Sequence, residues 1–207
     1  MTVYHYIGKK VFETREGRRS VTFGSGRINY WTTFVTDPLT VAFFIFWEAT
    51  MPGSNLLVLV LGYAFGLSSW SLVEYAGHRW LYHKGRTPAH EGHKIHHQSP
   101  EVLIAMPWFV VTALFLIPWY VFAYRLRLPF ISVFEAGLLT GFVSYGAFHH
   151  IIHHRFNLNY SWYRKLRSQH FIHHQFPNAN FGVTSRFWDH VFRTTYKKNE
   201  SCTKRNK

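Results

Sequence analysis

Long stretches without a charged residue occupy much of this 207-residue chain. Residues 54–73 and 102–124 carry no charged side chain, and residues 128–147 carry only Glu135. Each stretch is long enough to cross a hydrocarbon layer about 30 Å thick, which takes roughly 20 apolar residues in a helix. A soluble protein would have too little polar chain left to cover so many apolar helices. The sequence therefore predicts an all-α integral membrane protein.

A further apolar stretch, residues 31–51, is interrupted by Asp37, Pro38 and Glu48. A re-entrant or interfacial segment is the alternative for it, but counted as a span it gives a multi-pass protein with about four transmembrane helices. Aromatic residues suited to the lipid–water interface lie near the rims of the stretches: Trp31, Trp47, Trp70, Trp108, Trp119 and Tyr124. Residues 1–30 form a basic leader without the apolar core of a signal peptide, so we expect the first span to direct insertion.

The formal net charge of +13 comes from segments outside the apolar stretches. No zinc-finger, helix-turn-helix or RNA-binding signature accompanies it, so we expect no nucleic-acid partner. Basic flanks on a membrane protein indicate cytosolic flanks and affinity for anionic lipid. The single cysteine, Cys202, lies in a polar tail and excludes an intramolecular disulfide framework.

The rest of the chain, residues 31–207, is predicted to be one membrane domain with two polar segments and a polar tail. The polar segments are residues 75–101 and 149–196, and the tail is residues 197–207. Exactly two apolar stretches separate the polar segments, so both should lie on the same side of the membrane. Their basic residues favour the cytosolic side: Arg79, Lys84, Arg86 and Lys94 in the first, and Arg155, Arg164, Lys165 and Arg167 in the second.

Ten of the fifteen histidines fall into four closely spaced sets within these two polar segments. One ion accepts at most about six ligands, and imidazole is a common metal ligand, so ten candidates predict two ions. The candidate metal ligands are His78, His83, His93, His96, His97, His149, His153, His170, His173 and His174.

Helical residues three or four positions apart share a face, so three of these sets can each present imidazoles from one short helix. His78 and His83 are five apart, a rotation of about 140° on an ideal helix. They should therefore serve different metals or lie across a break in the helix. His154 and Asp189 are candidates for orienting a ligand from outside, although Asp189 could equally cap a helix. Glu74 is a functional candidate because a carboxylate near lipid is costly.

The four remaining histidines outside the sets, His5, His90, His150 and His190, are interpreted as ordinary hydrogen-bonded residues. The kind of metal bound by the ten candidate ligands decides the chemistry of the site. Zinc is redox-inert and would indicate hydrolysis or a structural site, whereas iron with an open coordination position can activate oxygen.

The histidine sets and the stretch Asn180–Phe192 together resemble the fatty acid hydroxylase superfamily, particularly the fatty acid 2-hydroxylases. The sets read His-x4-His, His-x2-His-His, His-x3-His-His and His-x2-His-His, and the resemblance covers residues 55–196. It implies a membrane oxygenase with two metal ions, expected to be iron, and with the ten histidines as ligands. Because zinc binds nitrogen sites more tightly than ferrous iron, we expect zinc to replace iron in purified protein. The implied reaction uses O2 and two electrons to hydroxylate carbon 2 of a long acyl chain, often in a sphingolipid. Two departures are Arg193, where the family usually has glycine, and His90, three residues before His93.

Several alternatives remain at this level. Sterol desaturases and carotenoid hydroxylases also use histidine-only sites, but their usual box spacing differs. A metal transporter should place ionisable residues near the bilayer midplane, whereas these histidines follow the apolar stretches. A metal-stabilised membrane protein without catalysis would not need ten ligands.

An oxygenase also needs electrons, and the chain lacks a His-Pro-Gly-Gly haem motif, a dinucleotide fingerprint and a cysteine cluster. We therefore expect a separate donor, an acidic cytochrome b5 or ferredoxin, attracted to basic residues: Arg164, Lys165, Arg167, Lys197 and Lys198. The expected location is the endoplasmic reticulum in a eukaryote or the inner membrane in a bacterium.

Overall fold

The computed structural model describes residues 26–154 and 158–197, and this part of the chain is helical without any β-strand. This confirms the all-α prediction. The α-helices in chain order are α1 (Arg27–Ala49), α2 (Leu56–Ala76), α3 (Pro88–Gln98), α4 (Trp108–Trp119), α5 (Ile131–His154), α6 (Ser161–Gln175) and α7 (Phe187–Val191). A π-helical segment, Gly77–Tyr82, continues α2, and a second, Tyr120–Arg125, continues α4.

Three helices in the described residues are long and apolar enough to cross a membrane: Leu56–Tyr82, Trp108–Arg125 and Ile131–His154. Helix α1, which carries the first expected span, is outside this set and contains Asp37, Pro38 and Glu48. Large apolar side chains such as Phe65 and Leu114 are exposed on the qualifying helices, as expected for surfaces that face lipid. The protein is therefore an integral membrane protein.

Helices α2 and α5 pack closely through glycine. A Cβ atom at Gly66 would collide with the carbonyl oxygen of Phe134, and one at Gly137 would collide with that of Tyr63. Small residues let helix backbones approach in a membrane, where dispersion contacts rather than water exclusion drive helix association. This contact fixes α2, whose π-helical extension carries His78, against α5, which carries His149 and His153.

Helix α1 packs antiparallel on α5. The Tyr30 hydroxyl lies 3.0 Å from Nδ1 of His150, a Cβ at Gly146 would lie 3.5 Å from the Phe34 ring, and Phe44 packs in one core cluster with Ala136. Towards the other end, the carboxylate of Glu48 accepts a 2.8 Å hydrogen bond from the backbone N–H of Phe130. Successive contacts along α1 therefore meet progressively earlier residues of α5, as expected for an antiparallel pair.

Helices α3 and α6 carry the remaining histidines at the end of the bundle where α1 begins and α5 finishes. Thr87 caps α3 by accepting a 3.3 Å hydrogen bond from His90 N, and Pro88 occupies the first helical position. The loop before α4 is tied to α1 because Asn29 accepts a 3.0 Å hydrogen bond from Trp108 N. Both histidine-bearing segments thus meet at one end, as the count of apolar stretches predicts.

Candidate metal centre

The ten predicted ligands converge in two clusters of five, and within each cluster all ligand atoms lie within 4.8 Å of one another. Cluster 1 contains His78, His83, His93, His97 and His173. Cluster 2 contains His96, His149, His153, His170 and His174.

In cluster 1 the Nε2 atoms point at one another around His93. Its Nε2 lies 3.1 Å from that of His78, 3.0 Å from that of His83 and 3.0 Å from that of His97. The Nε2 of His83 lies 3.0 Å from that of His173. Cluster 2 has the same spacing: 2.8 Å between His153 and His170, 3.1 Å between His170 and His174, and 3.1 Å between His174 and His96.

These spacings suit ligands of a common ion. Two nitrogen atoms that each lie about 2.1 Å from one ion and subtend about 90° at it are about 3.0 Å apart. Five ligands also leave an octahedral ion one open position. The residues therefore fit two metal ions, each with room for one further ligand.

His78 and His83 belong to the same cluster, so the alternative that they serve different metals does not hold in this geometry. The reason is the π-helical segment Gly77–Tyr82 between them. A π-helix forms hydrogen bonds between residues five apart, which returns the fifth residue to the same face. The spacing His-x4-His is thus matched to a local change of helix type.

Burial keeps the imidazoles neutral. It lowers the pKa of His97 to about 2, of His174 to about 3 and of His83 to about 4, with repulsion from neighbouring imidazoles as the second cause. Burial also lowers the pKa values of His93 and His170 well below the ordinary range. Only neutral imidazole has the lone pair that binds a metal, so the environment favours the ligand form.

Two imidazoles of cluster 1 are oriented by backbone carbonyls. Nδ1–H of His78 donates to the carbonyl oxygen of Phe181, and Nδ1–H of His173 donates to that of Ala179 at 2.8 Å. These bonds direct both Nε2 atoms into the cluster. Among the described residues, no imidazole of cluster 2 donates to this loop, and Nδ1 of His170 in cluster 2, like that of His97 in cluster 1, is buried without a hydrogen-bond partner.

Asp189 acts on this loop and contacts no imidazole directly. Its carboxylate accepts hydrogen bonds from the backbone N–H groups of Phe181 and Gly182, both at 2.8 Å. Asp189, a candidate for orienting a ligand, therefore has no direct bond to an imidazole: the backbone of Phe181 lies between Asp189 and His78. Glu74 has a similar role, accepting from the N–H groups of Val183 and Thr184 at 2.7 and 2.9 Å.

His154 lies outside both clusters, and its ring stacks on that of His150 at 4.6 Å. It follows His153 directly, so helix geometry turns its side chain about 100° away from the cluster. The expectation that it orients a ligand is corrected. His90, His150 and His190 also lie outside the clusters, bonded to Tyr82 O, Tyr30 and Thr195 respectively. His5, Cys202 and Lys198 lie outside the described residues.

Arg193 has a φ of +56°, in the left-handed region that favours glycine. The backbone conformation that the resemblance associates with glycine is therefore kept with an arginine side chain. Its cost is roughly 1 kcal/mol. The backbone N–H of the next residue, Thr194, donates to Asp189 O at 2.8 Å, which fixes the turn.

A cavity of about 410 Å³ opens onto both clusters. His93 of cluster 1 and His96 and His149 of cluster 2 form part of its wall, and most of the rest is apolar: Phe34, Leu81, Ile104, Met106, Val110, Phe142 and Val143. Asp37 also lines it, 1% exposed, with one carboxylate oxygen that has no hydrogen-bond partner. An apolar cavity beside a metal centre suits an alkyl chain as ligand.

Sequence reasoning missed this cavity and the two tyrosines at its junction with the clusters. The Tyr82 ring stacks on His93 at 5.2 Å, and the Tyr145 ring stacks on His149 at 5.6 Å. Tyr145 precedes His149 by four residues, a helical spacing that could have indicated the contact. The stacking of Tyr82 depends on how two helices pack and has no local signal.

Comparison with known proteins agrees with this geometry. A family model described as fatty acid hydroxylase matches residues 63–194. The chain belongs to the fatty acid hydroxylase family. The ceramide very long chain fatty acid hydroxylase scs7 of Schizosaccharomyces pombe is 36% identical over 159 residues, which cover 69% of this chain and 44% of that protein. The dihydroceramide fatty acyl 2-hydroxylase FAH2 of Arabidopsis thaliana is 31% identical over 156 residues, covering 70% of this chain and 62% of that one.

A solved structure of full-length scs7p, in which only the hydroxylase domain is visible, has the same fold. The TM-score is 0.67 at 28% identity, covering 84% of this chain and 68% of that one. The chain spans about half the length of the two curated relatives described above. Membership of this family favours a hydroxylase over the metal-transporter alternative.

Proposed function

We propose that the protein is a membrane-bound di-iron oxygenase that hydroxylates a long-chain fatty acyl lipid at carbon 2, using O2 and an external electron donor. The observation that carries the proposal is the junction of two five-imidazole clusters with one apolar cavity. Iron, when bound, supplies the redox chemistry that zinc lacks. The relatives named for ceramide and dihydroceramide support an N-acyl chain of a sphingolipid as substrate.

The shape of the cavity suits one orientation of the acyl chain. The cavity extends along α5 from His149 to Val143, six residues or about 9 Å of helix rise into the apolar part of the bundle. An acyl chain lying in it places a carbon near its head group beside the clusters and its methylenes against the apolar wall. This arrangement supports oxidation near the carboxyl end.

The electron donor is proposed to approach cluster 2. Arg164 and Lys165 are exposed on α6, and the Arg167 guanidinium lies 4.9 Å from the Phe171 ring centroid. That ring lies 5.7 Å from the ring of His153. A basic surface one side chain from the cluster suits an acidic carrier such as a cytochrome b5 or ferredoxin. The same charges support a cytosolic metal centre, in the endoplasmic reticulum of a eukaryote or the inner membrane of a bacterium.

Lipid analysis tests the reaction. Expression of the chain in a host without such an enzyme should produce 2-hydroxylated acyl chains, detected by mass spectrometry. The variant His149→Ala should not produce them, and His190→Ala, a histidine outside both clusters, should match the unmodified protein. A new double bond in mid-chain, or an altered sterol or carotenoid, would instead assign the protein to a desaturase or carotenoid hydroxylase reaction.

Metal replacement tests the cofactor. Divalent zinc binds nitrogen sites more tightly than ferrous iron, so overexpressed protein should contain about two ions per chain, partly zinc. Iron-loaded protein should hydroxylate, whereas protein loaded with zinc alone should remain helical and inactive. Full activity of an iron-free, zinc-loaded preparation would refute the di-iron assignment.

A further inference from the structure

The segment Ala179–Thr184 lies between two buried carboxylates from different helices. Asp189 on α7 is 1% exposed, and Glu74 on α2 is 5% exposed. Together they accept hydrogen bonds from four consecutive backbone N–H groups, those of residues 181 to 184. Two hydroxyls also donate to them: Thr194 donates to Asp189 at 2.7 Å, and Thr184 donates to Glu74. Within the described residues neither carboxylate has a basic partner within salt-bridge distance.

Burying two carboxylates without a cation is costly unless hydrogen bonds compensate. The backbone of the segment must therefore keep its N–H groups directed at the two carboxylates, which restricts its conformation and its residue types. Asn180 has a φ of +55°, a conformation that asparagine tolerates better than most residues. Its side chain accepts a 2.9 Å bond from Tyr196 N. A Cβ atom at Gly182 would collide with the carbonyl oxygen of Ser185. The Asn-Phe-Gly-Val-Thr stretch is therefore shaped to fit between the two carboxylates.

The segment turns its carbonyl groups the other way, towards cluster 1. Phe181 O accepts from His78 at the end of α2, and Ala179 O accepts from His173 on α6. One short segment thus orients two ligands that come from different helices. In the described part of the chain, no hydrogen bond joins this segment to an imidazole of cluster 2. Nδ1 of His170 lacks a partner, as does Nδ1 of His97 in cluster 1, so the difference between the clusters lies in the two ligands that the segment orients.

We propose that Glu74 and Asp189 are positioning residues for cluster 1 only, acting through the segment Ala179–Thr184 on His78 and His173. The two metal positions are then unequal, with cluster 1 dependent on the carboxylates and cluster 2 independent of them. This inference rests on the proposed role of both clusters in binding metal, and on no step of hydroxylation.

Metal binding of the full chain in detergent tests it. Metal-free protein is titrated with Zn2+ against a competing chelator, and bound metal per chain is measured. Replacing an outer partner of a metal ligand typically weakens metal binding about 10- to 100-fold. Asp189→Asn and Glu74→Gln should each weaken one of the two positions by that order and leave the other unchanged. Glu135→Gln, which alters a buried carboxyl at the far end of α5, is the matched control and should change neither.

Ligand variants identify the affected position. Combined with His153→Ala, which disables cluster 2, Asp189→Asn should abolish most of the remaining binding. Combined with His83→Ala, which disables cluster 1, it should have little further effect. Equal loss at both positions, loss confined to cluster 2, or unchanged affinity at both would each overturn the proposal.

A milder change guards against loss of folding. Thr194→Val removes one hydrogen bond to Asp189 and should weaken the same position less than Asp189→Asn does, with helicity unchanged by circular dichroism. If Thr194→Val leaves cluster 1 unaffected while Asp189→Asn unfolds the chain, Asp189 is a folding residue and the proposal fails. Protein that binds two ions but hydroxylates nothing would refute the proposed function and leave this inference standing.

Discussion

Clusters 1 and 2 contain the same ligands, five imidazoles each, but they are assembled differently. Cluster 1 takes two histidines from the end of α2, two from α3 and one from α6. Cluster 2 takes two from α5, two from α6 and one from α3. Each cluster therefore includes one histidine from a helix that gives two histidines to the other cluster: His173 of α6 in cluster 1 and His96 of α3 in cluster 2. Neither metal position is complete unless both polar segments of the chain are in place.

Helix geometry explains the exchange. The pairs four residues apart, such as His93 with His97 and His170 with His174, share a cluster. The histidine between them, His96 or His173, joins the other cluster. Adjacent helical residues point about 100° apart, so each His-His doublet is divided between the two clusters. A repeated His-x2-His-His set thus contributes to both clusters and does not fill one.

The largest effects are expected at these two exchanged ligands. His173→Ala should remove the metal of cluster 1, and His96→Ala should remove that of cluster 2, each reducing bound metal from about two ions to about one. Because a reaction that needs both ions stops with either loss, hydroxylated product should become undetectable in both variants. Metal analysis and lipid mass spectrometry check this, with His190→Ala as control. Retention of two ions in either variant would break the assignment of ligands to clusters.

Protonation tests what the clusters share. The folded-state pKa is about 4 for His83 in cluster 1 and about 3 for His174 in cluster 2, below the ordinary value of about 6.5. Below a pH of about 6.5 the unfolded chain takes up protons that the folded metal-free protein does not. The free energy of unfolding therefore decreases as the pH is lowered from about 6.5 towards the folded-state pKa values. The melting temperature of metal-free protein should drop between pH 7 and pH 5. His83→Ala and His174→Ala should each flatten this dependence. A melting temperature that rises on acidification would show that the imidazoles are not held neutral by burial.

The sequence predicted the helical class and singled out the ten histidines that the structure gathers into two clusters. Both depend on local spacing and on the length of apolar stretches. The sequence did not predict which histidine joins which cluster, since helical spacing divides each His-His doublet but does not show which helices converge on each cluster. The shared cluster of His78 and His83 depends on a π-helical segment that has no sequence signature. The sequence singled out Asp189 but not its contacts, because a backbone carbonyl separates it from the imidazole.

A moderate difference between the two cluster surfaces is expected for electron transfer. Reversing Arg164 and Lys165 to glutamate, beside cluster 2, should slow turnover with an acidic donor several-fold at low salt without changing metal content, because the docking charge is lost. Reversing Lys84 and Arg86, exposed near cluster 1, is the matched control and should have less effect. Steady-state turnover at increasing ionic strength measures both. Equal slowing by the two reversals would show that the donor does not distinguish the two surfaces. If turnover responds neither to the reversals nor to salt, the basic residues do not dock the donor and serve membrane topology or lipid binding instead.

The smallest effect is expected at Asp37, which belongs to the cavity that both clusters share. Its unpartnered oxygen lies in a mostly apolar wall that also includes Val143, about 9 Å of helix rise from His149. A methylene chain that passes this level must cover a polar group without offering it a hydrogen bond, which is unfavourable. Asp37→Leu should therefore increase the share of longer acyl chains among the products, whereas Asp37→Asn, which keeps the polar group, should not. Chain-length profiles of the products by mass spectrometry compare the two variants, and metal content should stay at about two ions in both. An unchanged profile in Asp37→Leu would show that the acyl chain leaves the cavity before it reaches this level.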